Sequence, residues 1–203
     1  MNDLLTILGP TACGKTTFAA QLAYEMEGEI ISADSRQVYR GMDIGTGKDL
    51  ADYHVKGKDI PYHLIDVAEA GTRYNVYEWQ KGFLDAYADI TERGKTPILC
   101  GGTGMYIESV IKGYEFDGRT FPPFRSLIIG LDISRNLRRE RISQRLRARL
   151  DEGMIDEAKG LLDRGVSPTQ LIKYGLEYKY VTLYLLGDYQ YEEMVSLLEI
   201  AIH

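Results

Sequence analysis

A chain that runs Leu4-Leu5-Thr6-Ile7-Leu8 and then Gly9-Pro10-Thr11-Ala12-Cys13-Gly14-Lys15-Thr16 has little freedom in how it starts to fold. Residues 9–16 satisfy G-x-x-x-x-G-K-[ST] at every fixed position, a pattern that works only between a buried strand and a helix. The apolar run supplies the strand, and Thr17-Phe18-Ala19-Ala20-Gln21-Leu22-Ala23 reads as the helix. The glycines let the backbone curl until successive N–H groups point at one anion. The helix N-terminus adds partial positive charge. Lys15 contributes a mobile cation, and the Thr16 hydroxyl is a candidate Mg²⁺ ligand. The pattern predicts a phosphate compound in this loop and leaves open which one.

Strand-like and helix-like stretches alternate beyond the loop, the signature of an α/β fold with a parallel sheet. With the first strand, candidates at 29–32, 62–66, 97–100 and 127–131 predict a central, mainly parallel five-stranded sheet in a three-layer, P-loop NTPase-like fold. Asn75, with Glu78 three positions on, predicts a capped helix through Trp79, Phe83, Ala86, Tyr87 and Ile90 that stops near Gly94. Another helix is expected at 105–111. After residue 131 the pattern turns helical, with Leu137, Ile142, Leu146 and Leu150 on one face and arginines largely on the other. Further helices are expected at 157–162, 176–186 and 191–202, the last reaching His203 without a stop signal, as in a chain cut short. The expected division is an α/β core over 1–131 and an Arg-rich helical region over 132–203 packing on it as one compact domain.

The 203 residues suffice for one well-packed domain. No apolar run approaches the roughly 18 residues of a membrane span, and no signal peptide opens the chain. Cys13 and Cys100 form neither a disulfide framework nor a CxxC pair, which points to a reducing, cytoplasmic setting. The net charge is −6, yet residues 125–149 carry eight arginines against Asp132 and Glu140. Such a basic stripe is a footprint for phosphate or nucleic acid, or a solvated helix face laced with ion pairs.

Ligands of open parallel sheets gather where the strands end. Here those ends carry the phosphate loop, then Asp34-Ser35-Arg36-Gln37-Val38-Tyr39 and Gly41-Met42-Asp43-Ile44-Gly45-Thr46-Gly47-Lys48, then Asp66, then Gly101-Gly102-Thr103-Gly104. Asp34, Thr103 and the phosphate loop are expected to share one pocket. An anion cradle with a carboxylate and hydroxyls there can deprotonate a nucleophile while a phosphate departs. Each part also has a plainer reading. Asp34 can cap a turn, and Gly101-Gly102 can be close packing alone. His63 reads as structural, Trp79, Tyr74 and Tyr77 as core or rim, and Lys48 and Arg36 as surface charges.

Taken in order, these segments with His63-Leu64-Ile65-Asp66, Tyr74-Asn75-Val76 and Cys100-Gly101-Gly102-Thr103-Gly104-Met105-Tyr106 closely resemble the tRNA dimethylallyltransferase (isopentenyltransferase) family. The likeness resumes at Asp132-Ile133-Ser134-Arg135, Arg141-Ile142, Arg145 and Gly153, with an echo at Tyr174-Gly175-Leu176-Glu177-Tyr178. It implies transfer of a dimethylallyl group from dimethylallyl diphosphate to the exocyclic amine of an adenosine in the tRNA anticodon loop, by a monomer. On that reading the diphosphate lies on Gly9, Pro10, Thr11, Ala12, Cys13, Gly14, Lys15 and Thr16, and Mg²⁺ on Thr16. Asp34 is the base and Thr11 orients the leaving oxygen. Ser35, Arg36, Gln37 and Thr103 meet the substrate nucleotide, and Arg135, Arg141 and Arg145 close on diphosphate or RNA. The family's long helical insert is largely missing near 114–124, and its basic, tryptophan-containing C-terminal stretch is absent. The short insert favours a second reading, prenyl transfer to a free adenine nucleotide; the Arg-rich helix favours tRNA. A P-loop kinase acting on a small molecule is the third, weakened because the fourth strand ends in Cys100-Gly101-Gly102-Thr103 rather than a Mg²⁺-holding Asp.

Overall fold

The computed structural model describes residues 3–116, 121 and 124–203. In chain order the elements are β1 (Leu4–Leu8), α1 (Lys15–Met26), β2 (Gly28–Ala33), β3 (Tyr39–Arg40), a 3-10 turn (Leu50–Tyr53), β4 (His54–Val55), β5 (Lys58–Asp59), β6 (Tyr62–His63), β7 (Ala68–Glu69), α2 (Val76–Glu92), β8 (Thr96–Gly101), α3 (Gly104–Ile111) and β9 (Ser126–Gly130). Five helices follow: α4 (Arg135–Asp151), α5 (Met154–Asp163), α6 (Pro168–Lys173), α7 (Leu176–Leu185) and α8 (Tyr191–Ile202).

The expected five-stranded sheet is present, ordered β6-β2-β8-β1-β9, and every pairing in it is parallel. All six residues of β2 are buried, as a strand covered on both faces requires. Leu5, Ile7, Ile30 and Ile98 from the strands pack with Ala19, Ala20 and Ala23 of α1. The alanines let that helix lie close on the sheet. Asn75 caps α2 as expected: its side chain accepts from the N–H groups of Tyr77 and Glu78, and Glu78 Oε2 accepts from Asn75 N at 2.8 Å. Trp79 is fully buried, stacks on Tyr106 at 4.4 Å, and donates from Nε1 to Ser32 O at 3.0 Å. It belongs to the core.

Two expectations need correction. The third strand ends at His63 rather than at residue 66, because Leu64 and Asp66 take φ values of +63° and +57°, outside extended geometry. Leu137 lies on the exposed side of α4 at 38% exposure, and Ile142 and Leu146 alone carry that helix's buried face. The short β3–β7 and β4–β5 ladders and α6 lack the length or periodicity that would mark them in sequence.

The chain divides into two compact units. The first takes Met1–Val38, Asp49–Ile65 and Tyr74–Ile133, and holds the whole sheet with α1–α3. The second takes Tyr39–Lys48, Asp66–Arg73 and Ser134–His203. Its interior is built on Met154, Ala158, Leu161, Leu171, Tyr178, Val181, Met194 and Leu198. It is thus more than the C-terminal helices, since two excursions from the α/β part of the sequence join it.

Candidate active site

In the first unit β1 ends at Leu8 and the loop begins with a close approach: a Cβ on Gly9 would run into the backbone oxygen of Leu131. Ala12 (φ +63°) and Gly14 (φ +87°) are left-handed, and the helix starts at Lys15. A left-handed alanine is a strained choice, of the kind that clusters at ligand clamps. No side chain caps α1. Its first-turn N–H groups lie at the positive end of the helix dipole, where anions are favoured. Lys15 Nζ donates to Pro10 O at 2.7 Å and lies 3.9 Å from where a Cβ on Gly102 would stand. The lysine therefore sits between the phosphate loop and the end of β8.

The ends of β8 and β2 are drawn together by Gly101. A Cβ there would collide with Ala33 O, so only glycine allows this approach. Across it Thr103 N donates to Ala33 O at 3.0 Å, and Ser35 N donates to Thr103 Oγ1 at 2.9 Å. Asp34 Oδ1 accepts from Arg36 N (2.9 Å) and Gln37 N (3.4 Å), and Gln37 Oε1 accepts from Ser32 Oγ at 3.5 Å. Asp34 therefore does cap a turn, with one oxygen; Oδ2 takes no hydrogen bond from the described residues. The Cys100 thiol, pushed up to about 12 chiefly by burial, is held down in part by the charge of Lys15 and raised further by those of Cys13 and Asp34. It feels both the cation and the carboxylate. The structure thus brings Lys15, Asp34, Ser35 and Thr103 together, with Thr11 exposed and Thr16 half-buried on the loop.

Mg²⁺ favours hard oxygen donors and commonly takes one or two from protein and the rest from phosphate and water. The Thr16 hydroxyl in the first turn of α1 fits that pattern. Among the described residues no cluster of three or more His, Cys, Asp or Glu side chains forms an all-protein cage.

In the second unit α4 carries Arg135 and Arg141 exposed and Arg145 half-buried. Gly47 (φ +67°) has no room for a side chain because the guanidinium groups of Arg149 and Arg145 pass it. Arg149 also approaches Glu177 at 3.8 Å. Lys48 is not the surface charge expected: its side chain is fully buried, donating to Tyr39 O (2.5 Å), Asp43 Oδ1 (2.8 Å) and Asp66 Oδ1. Sequence reading also missed Glu157. Its carboxylate accepts from the backbone N–H groups of Asp43, Ile44 and Gly45 at 2.7, 2.8 and 2.9 Å, and from Tyr178 OH at 2.6 Å. The three backbone partners stand over a hundred residues from it, so no local pattern could have joined them. Tyr174 OH accepts from Gly71 N at 2.8 Å, which gives the 174–178 echo a structural task.

This loop-and-strand-end geometry can be set beside known proteins. The IPP transferase family model matches residues 37–123 and 115–203, and an isopentenyl transferase model matches 2–62. "tRNA dimethylallyltransferase 1" of Parabacteroides distasonis is 51% identical, covering 99% of this chain and 84% of the relative; "tRNA dimethylallyltransferase 2" of Porphyromonas gingivalis is 50% identical, covering 98% and 85%. The former alignment spans 259 positions against 203 residues here, so at least 56 of them lack a counterpart in this chain. The two IPP transferase segments overlap at 115–123; the short insert expected near 114–124 includes residues 117–120, 122 and 123, which lie outside the described residues. The solved full-length tRNA isopentenylpyrophosphate transferase of Bacillus halodurans matches with TM-score 0.87 at 30% identity, over 100% of this chain and 83% of that one. A tRNA isopentenylpyrophosphate transferase structure from Staphylococcus epidermidis matches at 0.84 and 26%, over 98% and 86%. With family models over most of its length and relatives half identical to it, the chain belongs to the IPP transferase family.

Proposed function

We propose that this chain transfers a dimethylallyl group from dimethylallyl diphosphate to the exocyclic amine of an adenosine beside the tRNA anticodon, with release of diphosphate. The observation that carries this is the meeting of the phosphate loop, through Lys15 at Gly102, with a carboxylate and hydroxyl pair at Asp34 and Thr103. A phosphate loop alone suits phosphoryl transfer. A carboxylate beside it suits a reaction in which an amine loses a proton as a phosphate leaves.

The diphosphate lies on the loop N–H groups of 9–16 and on Lys15. As the allylic C–O bond breaks, positive charge gathers on carbon and negative charge on the leaving oxygen. Donors fixed before the reaction stabilise that oxygen without reorganisation. Thr11 orients it. Asp34, fixed through Oδ1 by its own turn, takes the amine proton at Oδ2 as the N–C bond forms. Thr103, held to Ser35, sets the acceptor base against Asp34, and Ser35, Arg36 and Gln37 meet the nucleotide. Mg²⁺ on Thr16 supplies further charge against the diphosphate when bound. Arg135, Arg141 and Arg145 are assigned to diphosphate or RNA backbone. The base comes from a single-stranded loop, so extruding it costs less than opening a duplex. The enzyme acts as a monomer in the cytoplasm; among the described residues no helix is long and apolar enough to cross a membrane.

The test is transfer of label from dimethylallyl diphosphate with Mg²⁺, offering unmodified tRNA or AMP as acceptor. Label is expected in tRNA. Label confined to AMP would replace the acceptor, and no transfer to either would overturn the reading. Asp34→Ala is expected to lower turnover at least a thousandfold while donor binding survives, whereas Lys15→Ala weakens binding and turnover together.

A further inference from the structure

The phosphate loop opens on a groove that a dimethylallyl group does not fill. The cavity is about 650 Å³, inside the range of ~300–1,000 Å³ usual for small-molecule sites. Leu8 and Pro10 line it from β1 and the loop, and Ile107 and Ile111 from α3. Glu108 and Lys112, paired with each other, line it toward the C-terminal end of α3. Between these side chains the lining is glycine backbone, so the surface is largely apolar. Pro10 is the residue whose carbonyl accepts from Lys15, and Gly102, beside the same ammonium, also lines the groove. A diphosphate neutralised by Lys15 therefore stands at its mouth. From Gly104 to Ile111 a rise of ~1.5 Å per residue makes the α3 side about 10 Å long, more than one isoprene unit spans.

We propose that the chain also accepts allylic diphosphates longer than dimethylallyl diphosphate, geranyl diphosphate first among them, with the second isoprene unit lying along α3 between Pro10 and Ile111. This rests on the prenyl transfer proposed above. The chemistry does not change with length. The allylic C–O bond breaks with its electron pair leaving on diphosphate, the N–C bond forms, and the amine proton passes to Asp34. The added unit is remote from the reacting carbon and contributes binding alone, about fourfold in affinity per methylene buried.

The experiment supplies the purified chain with unmodified tRNA, Mg²⁺ and either dimethylallyl or geranyl diphosphate, and reads the modified nucleoside by mass. Both products are expected, with kcat/KM for geranyl within tenfold of that for dimethylallyl. Dimethylallyl transfer with geranyl transfer more than tenfold slower overturns the inference and leaves the prenyl-transfer reading intact. Transfer from neither donor overturns both. Ile111→Trp narrows the end of the groove at a position already 37% exposed, so the fold has no reason to fail. It is expected to cut geranyl use at least tenfold relative to dimethylallyl; an unchanged ratio shows that the tail lies elsewhere and overturns the assignment.

Discussion

Replacing Glu157 by glutamine changes one atom and tests how loop 43–45 is held. The carboxylate receives four donors: Asp43 N and Ile44 N on Oε2, Gly45 N and Tyr178 OH on Oε1. An ionised carboxylate only accepts, so all four are satisfied. A glutamine must turn its NH₂ toward one pair. Facing Oε2's partners it opposes two fixed backbone donors; facing Oε1's it opposes Gly45 N and a phenol that must rotate. Hydrogen bonds to charged groups contribute ~1.5–3 kcal/mol each, and stranded donors cost ~1–3 kcal/mol. With the phenol turned to accept, the bond from Gly45 N is lost and the remaining bonds weaken on a neutral partner, together about 3 kcal/mol at this half-buried site. Tyr178, 1% exposed, has its phenol driven well above the ordinary tyrosine range by burial and then by the Glu157 charge. It stays neutral throughout, so it meets the amide by turning its hydroxyl and not by ionising. The assay is amide hydrogen exchange at Asp43, Ile44 and Gly45, where about 3 kcal/mol at 1.36 kcal/mol per decade reads as ~150-fold faster exchange. Exchange within fivefold of the parent protein would refute the four-donor account. Glu157→Asp, which keeps the charge but is one methylene shorter, should recover part of the protection.

Two further outcomes follow from the first unit. Thr103→Val removes the oxygen that accepts Ser35 N while keeping the shape; it should raise the acceptor KM at least tenfold, and Thr103→Ser should restore it in steady-state kinetics. Glu29, in β2, is held at about 2, first by hydrogen bonds from Arg93, with a further one from His63 and burial opposing. A lowered carboxylate stabilises the fold above its unfolded value near 4.5 and loses that contribution as pH falls toward 2. The shift corresponds to ~3 kcal/mol; Arg93 is 43% exposed, and screening brings it to about 2 kcal/mol. Urea midpoints taken between pH 6 and pH 3 should fall more steeply for the parent than for Glu29→Gln; parallel slopes would show that this pair does not carry the acid dependence.

What local chemistry dictates was readable from the order of residues alone. The phosphate loop, the Asn75–Glu78 cap, the strands of the sheet and the last helix at 191–202 each depend on neighbours a few positions apart. The placing of Asp34 and Thr103 together was also readable, because parallel strands bring their ends to one edge. What stayed hidden was set by long-range geometry. Lys48 looks like any lysine of a glycine-rich loop until Asp66 and Tyr39 O enclose it. Glu157 is one acid among many until three amides of a distant turn converge on it. His63 ended its strand early because Leu64 and Asp66 adopt left-handed angles that their residue types do not announce. Residue order along the chain dictates a phosphate loop on a parallel sheet and the side chains at the strand ends. Packing between distant segments sets which charges are buried and paired and leaves beside Lys15 a groove longer than one isoprene unit. Burial, pairing and free volume arise between segments far apart in the chain, where no local pattern records them.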